Sequence, residues 1–411
     1  MVIINMENTK NIMRKKICQI IDTRGWAIDR LASAIVRHNP QFEWKQIYLH
    51  PRDLEAGKID LKPVIKAIEW ADVIDAQYWR VLSLLSEMVH EIKNKLIVLP
   101  HHNEENLLSR DWKYVAIHIA KTKYSGGVLQ KAGYKDIRYI PNSFDPEVFK
   151  WNQEWPPQEP AVGYVGRIVD WKGLKEIAHA CKELGVKLYA MGKGNDMGYY
   201  DSIPEADRDN IDWSFFEYPD DRIAEFYQNI TCYVCNSSPH REVGPLPLIE
   251  AMASGVPVVS TPCGIARDIG KPRENMMIVP FGEYEVLKDS IREILESATT
   301  GNELRQAGWR TIKNFSDGVM ARAYSDVFYD LLSGNLKPWV SVIIPATCDR
   351  REQVKEILKA LEVQTYPNIE ALVIWDEAEP LSSMSDLITA SFPLRELRTG
   401  MEGYNLAQAR N

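Results

Sequence analysis

Two cations, Arg167 and Lys172, stand five residues apart in the stretch Gly163-Tyr164-Val165-Gly166-Arg167 … Asp170-Trp171-Lys172-Gly173-Leu174. A strand running into a glycine-containing turn puts both just past its C-terminal end, where open α/β sheets bind ligands. Gly166 lets the backbone approach an anion closely, and an arginine can grip two oxygens at once. A phosphate or diphosphate suits such a pair. The competing reading is a solvated surface pair, the ordinary fate of Arg and Lys.

Further along, Glu242-Val243-Gly244-Pro245-Leu246-Pro247-Leu248-Ile249-Glu250-Ala251-Met252-Ala253-Ser254-Gly255-Val256-Pro257 reads as a loop opening a helix that stops at Gly255, with a strand directly after. Backbone N–H groups near Gly244–Leu246, Pro245 having none, are unpaired at such a helix start and face an anion favourably. Glu242 and Glu250 bracket that site, eight positions apart. Carboxylates repel phosphate but accept hydrogen bonds from sugar and ribose hydroxyls. The combination asks for a ligand with a charged middle and hydroxyl-rich ends, which is the layout of a nucleotide sugar.

The elements that must hold these residues alternate. Short apolar runs at 17–21, 46–49, 73–76, 96–99, 115–119 and 137–140 read as strands, with helical spacing at 26–36 and 81–92. The pattern restarts with strands at 162–165, 187–191, 232–235, 258–260 and 277–279 and helices near 174–184, 221–228, 247–254, 284–297, 302–314 and 317–333. Such alternation predicts parallel sheets covered by helices. The Pro-rich run at 151–160 reads as a linker. A third unit opens near Pro338, with strands at 340–344 and 369–375 around a helix at 351–361. The expected architecture is α/β, with domains at 1–150 and 151–335 and an incomplete unit at 336–411.

These motifs resemble the retaining family 4 glycosyltransferases of the GT-B fold, two Rossmann-like domains facing across a cleft. The resemblance rests on the Gly166-Arg167 … Lys172-Gly173 turn, the Glu242 … Glu250 segment and the junction Pro141-Asn142-Ser143-Phe144-Asp145. It implies that Arg167 and Lys172 neutralise a donor diphosphate, Glu250 binds ribose and Glu242 contacts the donor sugar. Backbone N–H groups near Gly244–Leu246 would cradle phosphate, with no metal and no cofactor beyond the UDP- or GDP-sugar substrate. His102, followed by Asn103, matches the histidine that faces the donor sugar, with His101 as runner-up. Gly25, in the loop Asp22-Thr23-Arg24-Gly25-Trp26, resembles the glycine that approaches the donor. The sequence departs from the common pattern at Val243 and Ser143, where glycine is frequent.

The tail also resembles a known family. Val340-Ser341-Val342-Ile343-Ile344-Pro345, Gln364-Thr365-Tyr366-Pro367-Asn368 and Ala409-Arg410-Asn411 are similar to the opening of a family 2 glycosyltransferase of the GT-A fold. Asp376 would match its base-binding aspartate. The similarity stops before a metal-binding Asp-x-Asp, so the expectation is an incompetent fragment of a truncated two-enzyme polypeptide.

Composition narrows the classes. The 411 residues are 45% hydrophobic and 26% charged, which excludes a disordered chain or a small disulfide scaffold. Six scattered cysteines fit a reducing compartment. Cys232 and Cys235 have metal-like spacing, but residues three apart on a strand face opposite sides, so no zinc site is expected. No apolar run approaches the roughly 20 residues of a membrane span. No signal-peptide core follows Met1, so a cytoplasmic protein is expected, with peripheral association at the inner membrane face as a variant. Residues 1–150 hold 23 Lys+Arg against 18 Asp+Glu, a net +5, whereas the remainder carries −13 of the total −8. A basic acceptor domain suits an anionic acceptor such as a phosphorylated lipid or surface polymer. Nucleic acid is disfavoured, since no groove-reading motif is present. The sequence predicts transfer of a sugar from a nucleotide-diphosphate donor to an acceptor hydroxyl with retention, in glycan or cell-surface polysaccharide synthesis. A sugar-nucleotide epimerase, a glycan phosphorylase or a non-catalytic scaffold for a family 2 unit are the alternatives.

Overall fold

Runs such as Ile17-Cys18-Gln19-Ile20-Ile21 are buried along their whole length, and only a parallel sheet with covered faces can satisfy such a strand. The computed structural model describes residues 14–102, 104, 107–108, 110–192, 196–213, 220–239, 241–333, 340–347, 350–362, 369–375 and 394–398. The first sheet is built from β1 (Lys16–Ile21), β2 (Glu43–Tyr48), β3 (Val73–Ala76), β4 (Leu96–His101), β5 (Ile117–Ala120) and β6 (Ile137–Tyr139), in the order β2-β1-β3-β4-β5-β6. The second comprises β7 (Ala161–Val165), β8 (Lys187–Met191), β9 (Ile211–Asp212), β10 (Cys232–Cys235), β11 (Val258–Ser260) and β12 (Met277–Ile278), in the order β12-β11-β10-β7-β8-β9. All their pairings are parallel. This is the α/β architecture of two Rossmann-like domains that the sequence predicts.

Each strand order reverses beside the sheet's first strand. The chain leaves β1 for β2 on one side and returns to β3 on the other. It leaves β7 for β8 and returns to β10. Reversal opens a crevice at the C-terminal edge of each sheet, at β1/β3 and at β7/β10.

Both six-stranded sheets belong to one compact unit, residues 1–328. Side chains from distant parts of the sequence hold it together. Arg37 bridges Asp145 and Asp317, each at 2.9 Å. Asn39 donates to the Ala321 carbonyl at 2.8 Å, and Phe42 and Trp44 pack edge-on against Phe328. The second unit, residues 329–411, holds a parallel sheet of β13 (Val340–Ala346), β14 (Ile369–Trp375) and β15 (Leu394–Arg398) with the helix Arg351–Glu362. Asp376 and residues 364–368 and 409–411 lie outside the described residues.

Some elements differ from their sequence expectation for identifiable reasons. The single helix expected at 81–92 divides into helix Trp79–Met88 and a 3-10 turn at His90–Asn94, because Val89 between them is extended. The helix expected at 302–314 starts at Ala298. Thr299, Thr300 and Gly301 are poor helix formers, but the Ser297 hydroxyl caps the Thr300 N–H and Gly301 packs on Trp155. Run 151–160 is a strap on the second domain. The Trp155 indole is buried and donates to the Thr231 carbonyl at 2.9 Å, and Arg305 lies over the rings of Trp151 and Trp155 at 4.3 and 4.9 Å. Proline punctuation is local information, whereas the tryptophan pockets come from residues far away in sequence.

Gly255 ends helix Leu246–Ala253 with φ +69°, and an added Cβ would stand 2.6 Å from the Trp151 ring. Gly255→Ala is therefore expected to destabilise the protein by about 2–4 kcal/mol, from backbone strain plus overpacking. Urea unfolding read by tryptophan fluorescence checks it, and an unchanged midpoint would refute the packing argument.

Candidate functional site

The β7/β10 crevice gathers the residues singled out in the second domain. Past β7, the Gly166 N–H donates to the Met191 carbonyl at 2.9 Å, and the Tyr164 hydroxyl ties the turn to the Arg167 carbonyl at 2.6 Å. A 3-10 turn at Asp170–Lys172 follows and closes on Gly173, whose φ of +64° is left-handed. A side chain at 173 would collide with Asn236, just past β10, so glycine lets the two strand ends meet. Arg167 is exposed and Lys172 largely buried. They flank Trp171, with the guanidinium 5.1 Å and the ammonium 5.2 Å from its ring centre, within cation–π range.

Lys172 donates to the Glu242 carboxylate, each side chain being only 13% exposed. The Ser237 hydroxyl also reaches Glu242 Oε1, at 3.4 Å. Burial acts most strongly, to lower the Lys172 pKa, but the negative Glu242 beside it, with Cys235 and Cys263, makes the net shift upward. Lys172 is thus held as a fixed positive charge in a partly dry site, where its field is strong.

The loop that opens helix Leu246–Ala253 is braced on two sides. The Asn142 side chain donates to the Gly244 carbonyl at 2.8 Å, so the 141–145 junction reaches the loop directly. Gly264, at φ +47°, packs on the Val243 carbonyl with no room for a side chain. The Val243 side chain is buried, which shows how the departure from glycine there is accommodated. Pro245 and Leu246 start the helix at the mouth of the crevice.

Glu250 sits deeper. It is 1% exposed, accepts from the Tyr227 hydroxyl at 3.0 Å and pairs at 2.5 Å with Arg30 of the first domain. Arg30 also lies 5.4 Å from the Phe149 ring centre. Sequence reasoning missed Arg30, for which no local signal exists. It also passed over Trp171, Asn236 and Ser237, of which Trp171 stood inside a quoted motif.

In the first domain, His101 and His102 point to different surroundings. His101 is buried against His118, Nε2 to Nδ1 at 2.9 Å, and burial together with His118 pushes its pKa down to about 3. His102 lies at the C-terminal edge, its Nε2 sealed from water and without a hydrogen-bond partner among the described residues. Burial, the Lys121 ammonium and His101 together hold its pKa well below the usual imidazole value. Lys121 itself is buried, donates to the Tyr324 hydroxyl at 3.2 Å, and is drawn down to about 7 by burial against the opposing pull of Asp75. Gly25, φ +76°, donates its N–H to Asp29 at 2.7 Å.

Cys232 packs into the core with Val162 and Leu188, and Cys235 into that with Tyr233 and Leu248, so the two thiols belong to different cores. Cys235 Sγ lies 3.7 Å from Cys263 Sγ.

Residues 145–311 match the family described as glycosyl transferases group 1, a span that holds Arg167, Lys172, Glu242 and Glu250 but not Asn142 or Arg30. Residues 145–311 are thus similar to a glycosyltransferase group 1 domain, set in a fold of the GT-B kind. It is 28% identical over 152 residues to a GDP-mannose-dependent alpha-mannosyltransferase of Mycobacterium tuberculosis, covering 36% of this chain and 38% of that protein. It is likewise 28% identical over 169 residues to the capsular polysaccharide biosynthesis glycosyltransferase CapM of Staphylococcus aureus, covering 39% and 43%. The chain thus matches less than half the length of these relatives. HepE from Anabaena, solved with UDP and glucose, superposes with a TM-score of 0.64 at 14% identity, over 77% of this chain and all of that one.

Two outcomes follow from the site itself. Lys172→Met leaves the Glu242 carboxylate unpaired in a largely buried position and should cost about 3 kcal/mol, with most of the loss recovered in K172M/E242Q. Denaturant unfolding of both variants decides this. His102 should be neutral at pH 6.5, where a free imidazole is half protonated, since its pKa is held well below that value. An imidazole NMR titration that shows His102 protonating near pH 6.5 would contradict the geometry.

Proposed function

We propose that this protein is a retaining, metal-independent glycosyltransferase that moves a sugar from a UDP- or GDP-sugar to an acceptor hydroxyl, in glycan or cell-surface polysaccharide synthesis. The observation that carries this reading is the meeting of Arg167, Lys172 and Glu242 around one sheet crevice, beside the helix start at Gly244–Leu246. The activities of the relatives, a mannosyl transfer dependent on GDP-mannose and a step of capsule synthesis, point the same way. So does the UDP and glucose held by HepE.

In this reading Arg167 and Lys172 neutralise the diphosphate and the charge that develops on it as the sugar leaves. Two cations and the backbone N–H groups near Gly244 supply what a divalent metal would otherwise provide. Glu242, already oriented by Lys172 and Ser237, accepts from donor-sugar hydroxyls. Ribose hydroxyls would share the Glu250 carboxylate with Arg30 and Tyr227. The leaving phosphate takes the acceptor proton on the same face of the sugar, so no protein nucleophile is required. His102, neutral at working pH, suits a hydrogen bond to the transferred sugar and not a charge contact. Closure of the cleft would exclude water and limit donor hydrolysis. The net +5 of residues 1–150 supports an anionic acceptor. No helix among the described residues is long and apolar enough to cross a membrane, and we place the reaction in the cytoplasm, with the acceptor presented there or at the inner membrane face.

A screen of UDP- and GDP-sugars, following nucleotide release and then the anomeric proton coupling of the product by NMR, tests this reading. Transfer with retention, undiminished by a chelator, is expected. Arg167→Ala should lower kcat by about 100-fold, the typical loss for a group that stabilises developing charge. Donor rearrangement without transfer, an inverted product or a chelator-sensitive rate would overturn it.

A further inference from the structure

The two cations of the β7/β10 crevice are held in different ways. Lys172 is largely buried, and the Glu242 carboxylate fixes its ammonium. Arg167 is exposed, and its guanidinium has no hydrogen-bond or carboxylate partner among the described residues. What stands against it is the Trp171 ring, whose centre lies 5.1 Å from the guanidinium carbon. The Lys172 ammonium lies 5.2 Å from the same ring centre.

A long exposed arginine samples many rotamers, and losing them on binding an anion weakens that binding. A neighbouring ammonium also repels it. An indole face counters both effects. Its negative quadrupole attracts a cation, more strongly in tryptophan than in tyrosine or phenylalanine. Unlike a carboxylate, it does so without neutralising the charge. Arg167 is thereby ordered yet keeps its full charge for a phosphate, whereas Lys172 shares its own with Glu242.

The backbone sets Trp171 in place for this. Its N–H donates to the Asp170 carboxylate at 2.7 Å, and its carbonyl accepts the Ser238 N–H at 2.8 Å, just beyond β10. It occupies the middle of the 3-10 turn Asp170–Lys172, which closes on the left-handed Gly173. None of these ties uses the indole. The ring is half-buried and belongs to neither apolar core of the second domain, whereas Trp155 does. Core packing therefore does not require a tryptophan in this turn.

Resting on the donor reading above, we propose that Trp171 is a positioning residue of the diphosphate site: its indole face holds the Arg167 guanidinium beside Lys172 before the donor arrives. Charge develops on the phosphate next to the departing sugar, the one that a nucleoside monophosphate lacks. Trp171 acts on that phosphate through Arg167.

The test measures the affinity of the full chain for UDP, GDP, UMP and GMP by isothermal titration calorimetry. The quantity read is the ratio of diphosphate to monophosphate affinity for the base that binds. Wild type is expected to favour the diphosphate. Trp171→Leu still covers the apolar stems of the two cations but has no π face. It should reduce the ratio at least fivefold, with monophosphate affinity unchanged within twofold. Trp171→Phe should reduce it less than threefold. In an Arg167→Ala background, Trp171→Leu should have no further effect beyond twofold, because the group it holds is gone. Thermal melts follow the folding of each variant. If wild type binds none of these nucleotides, the donor reading fails and this proposal falls with it. With nucleotide binding intact, the assignment of Trp171 is overturned by an absent diphosphate preference in wild type or by an unchanged ratio in Trp171→Leu. An undiminished effect without Arg167 overturns it too. An equal loss for both nucleotides would make the indole a stacking surface for the base, and a Trp171→Leu protein that no longer folds would make it packing. Either outcome also overturns the proposal.

Discussion

The buried ion pair between Lys172 and Glu242 is the constraint around which the second domain is arranged. Two opposite charges at 13% exposure persist only if geometry is good and neighbouring polar groups are satisfied. The surroundings meet that demand. Gly173 lets the turn carrying Lys172 close against Asn236, and Ser237 adds a hydroxyl to Glu242. Thr261 donates to the Ser237 carbonyl at 2.5 Å and so secures the strand end from β11. Gly264 and Asn142 hold the backbone of the loop from either side. The pair presents a partly neutralised cation beside a hydroxyl-accepting oxygen. A ligand bringing both phosphate and hydroxyls can compete for each without either charge being left bare.

The first domain is attached through the same kind of contact. Arg30 inserts its guanidinium against Glu250, while Arg267 grips Glu104 through both carboxylate oxygens, at 2.5 and 2.6 Å. Asp268 accepts the Lys123 N–H at 2.7 Å at the start of helix Lys123–Lys131. These specific, directional pins add to the apolar contacts of Phe42 and Trp44 with Phe328. They determine how the β1/β3 crevice is presented to the β7/β10 crevice, because each pin starts from an element that leaves one of the sheet edges. Glu250 in particular does two jobs in the proposed enzyme, tying the domains together and lying next to the nucleotide.

Legibility followed the range of the interaction. Strands at 73–76, 187–191, 232–235, 258–260 and 369–375 coincide with their expected bounds, because a short, mostly apolar run between turn signals has few other solutions. The helices Pro51–Glu55, Leu61–Trp70 and Lys123–Lys131 were not anticipated. The last contains Ser125, Gly126 and Gly127, poor formers that Thr122 overrides with a reciprocal cap to Ser125. In the site, Arg167, Lys172 and Glu242 could be read together because motif spacing reports which strand ends they occupy. Arg30 could not, since it touches Glu250 from more than two hundred positions away.

From its sequence alone this protein is a set of parallel α/β units with cations after one glycine turn and two glutamates around a helix start. Those features are local, set by turn chemistry and side-chain periodicity, and they survive without knowledge of neighbours. The tertiary structure decided the rest. It spent part of Lys172 on Glu242, sealed Glu250 behind Arg30 and Tyr227, and turned His101 into the core while leaving His102 at the edge. Charge pairing and desolvation depend on which groups meet in space, and only packing of the two sheets determines that.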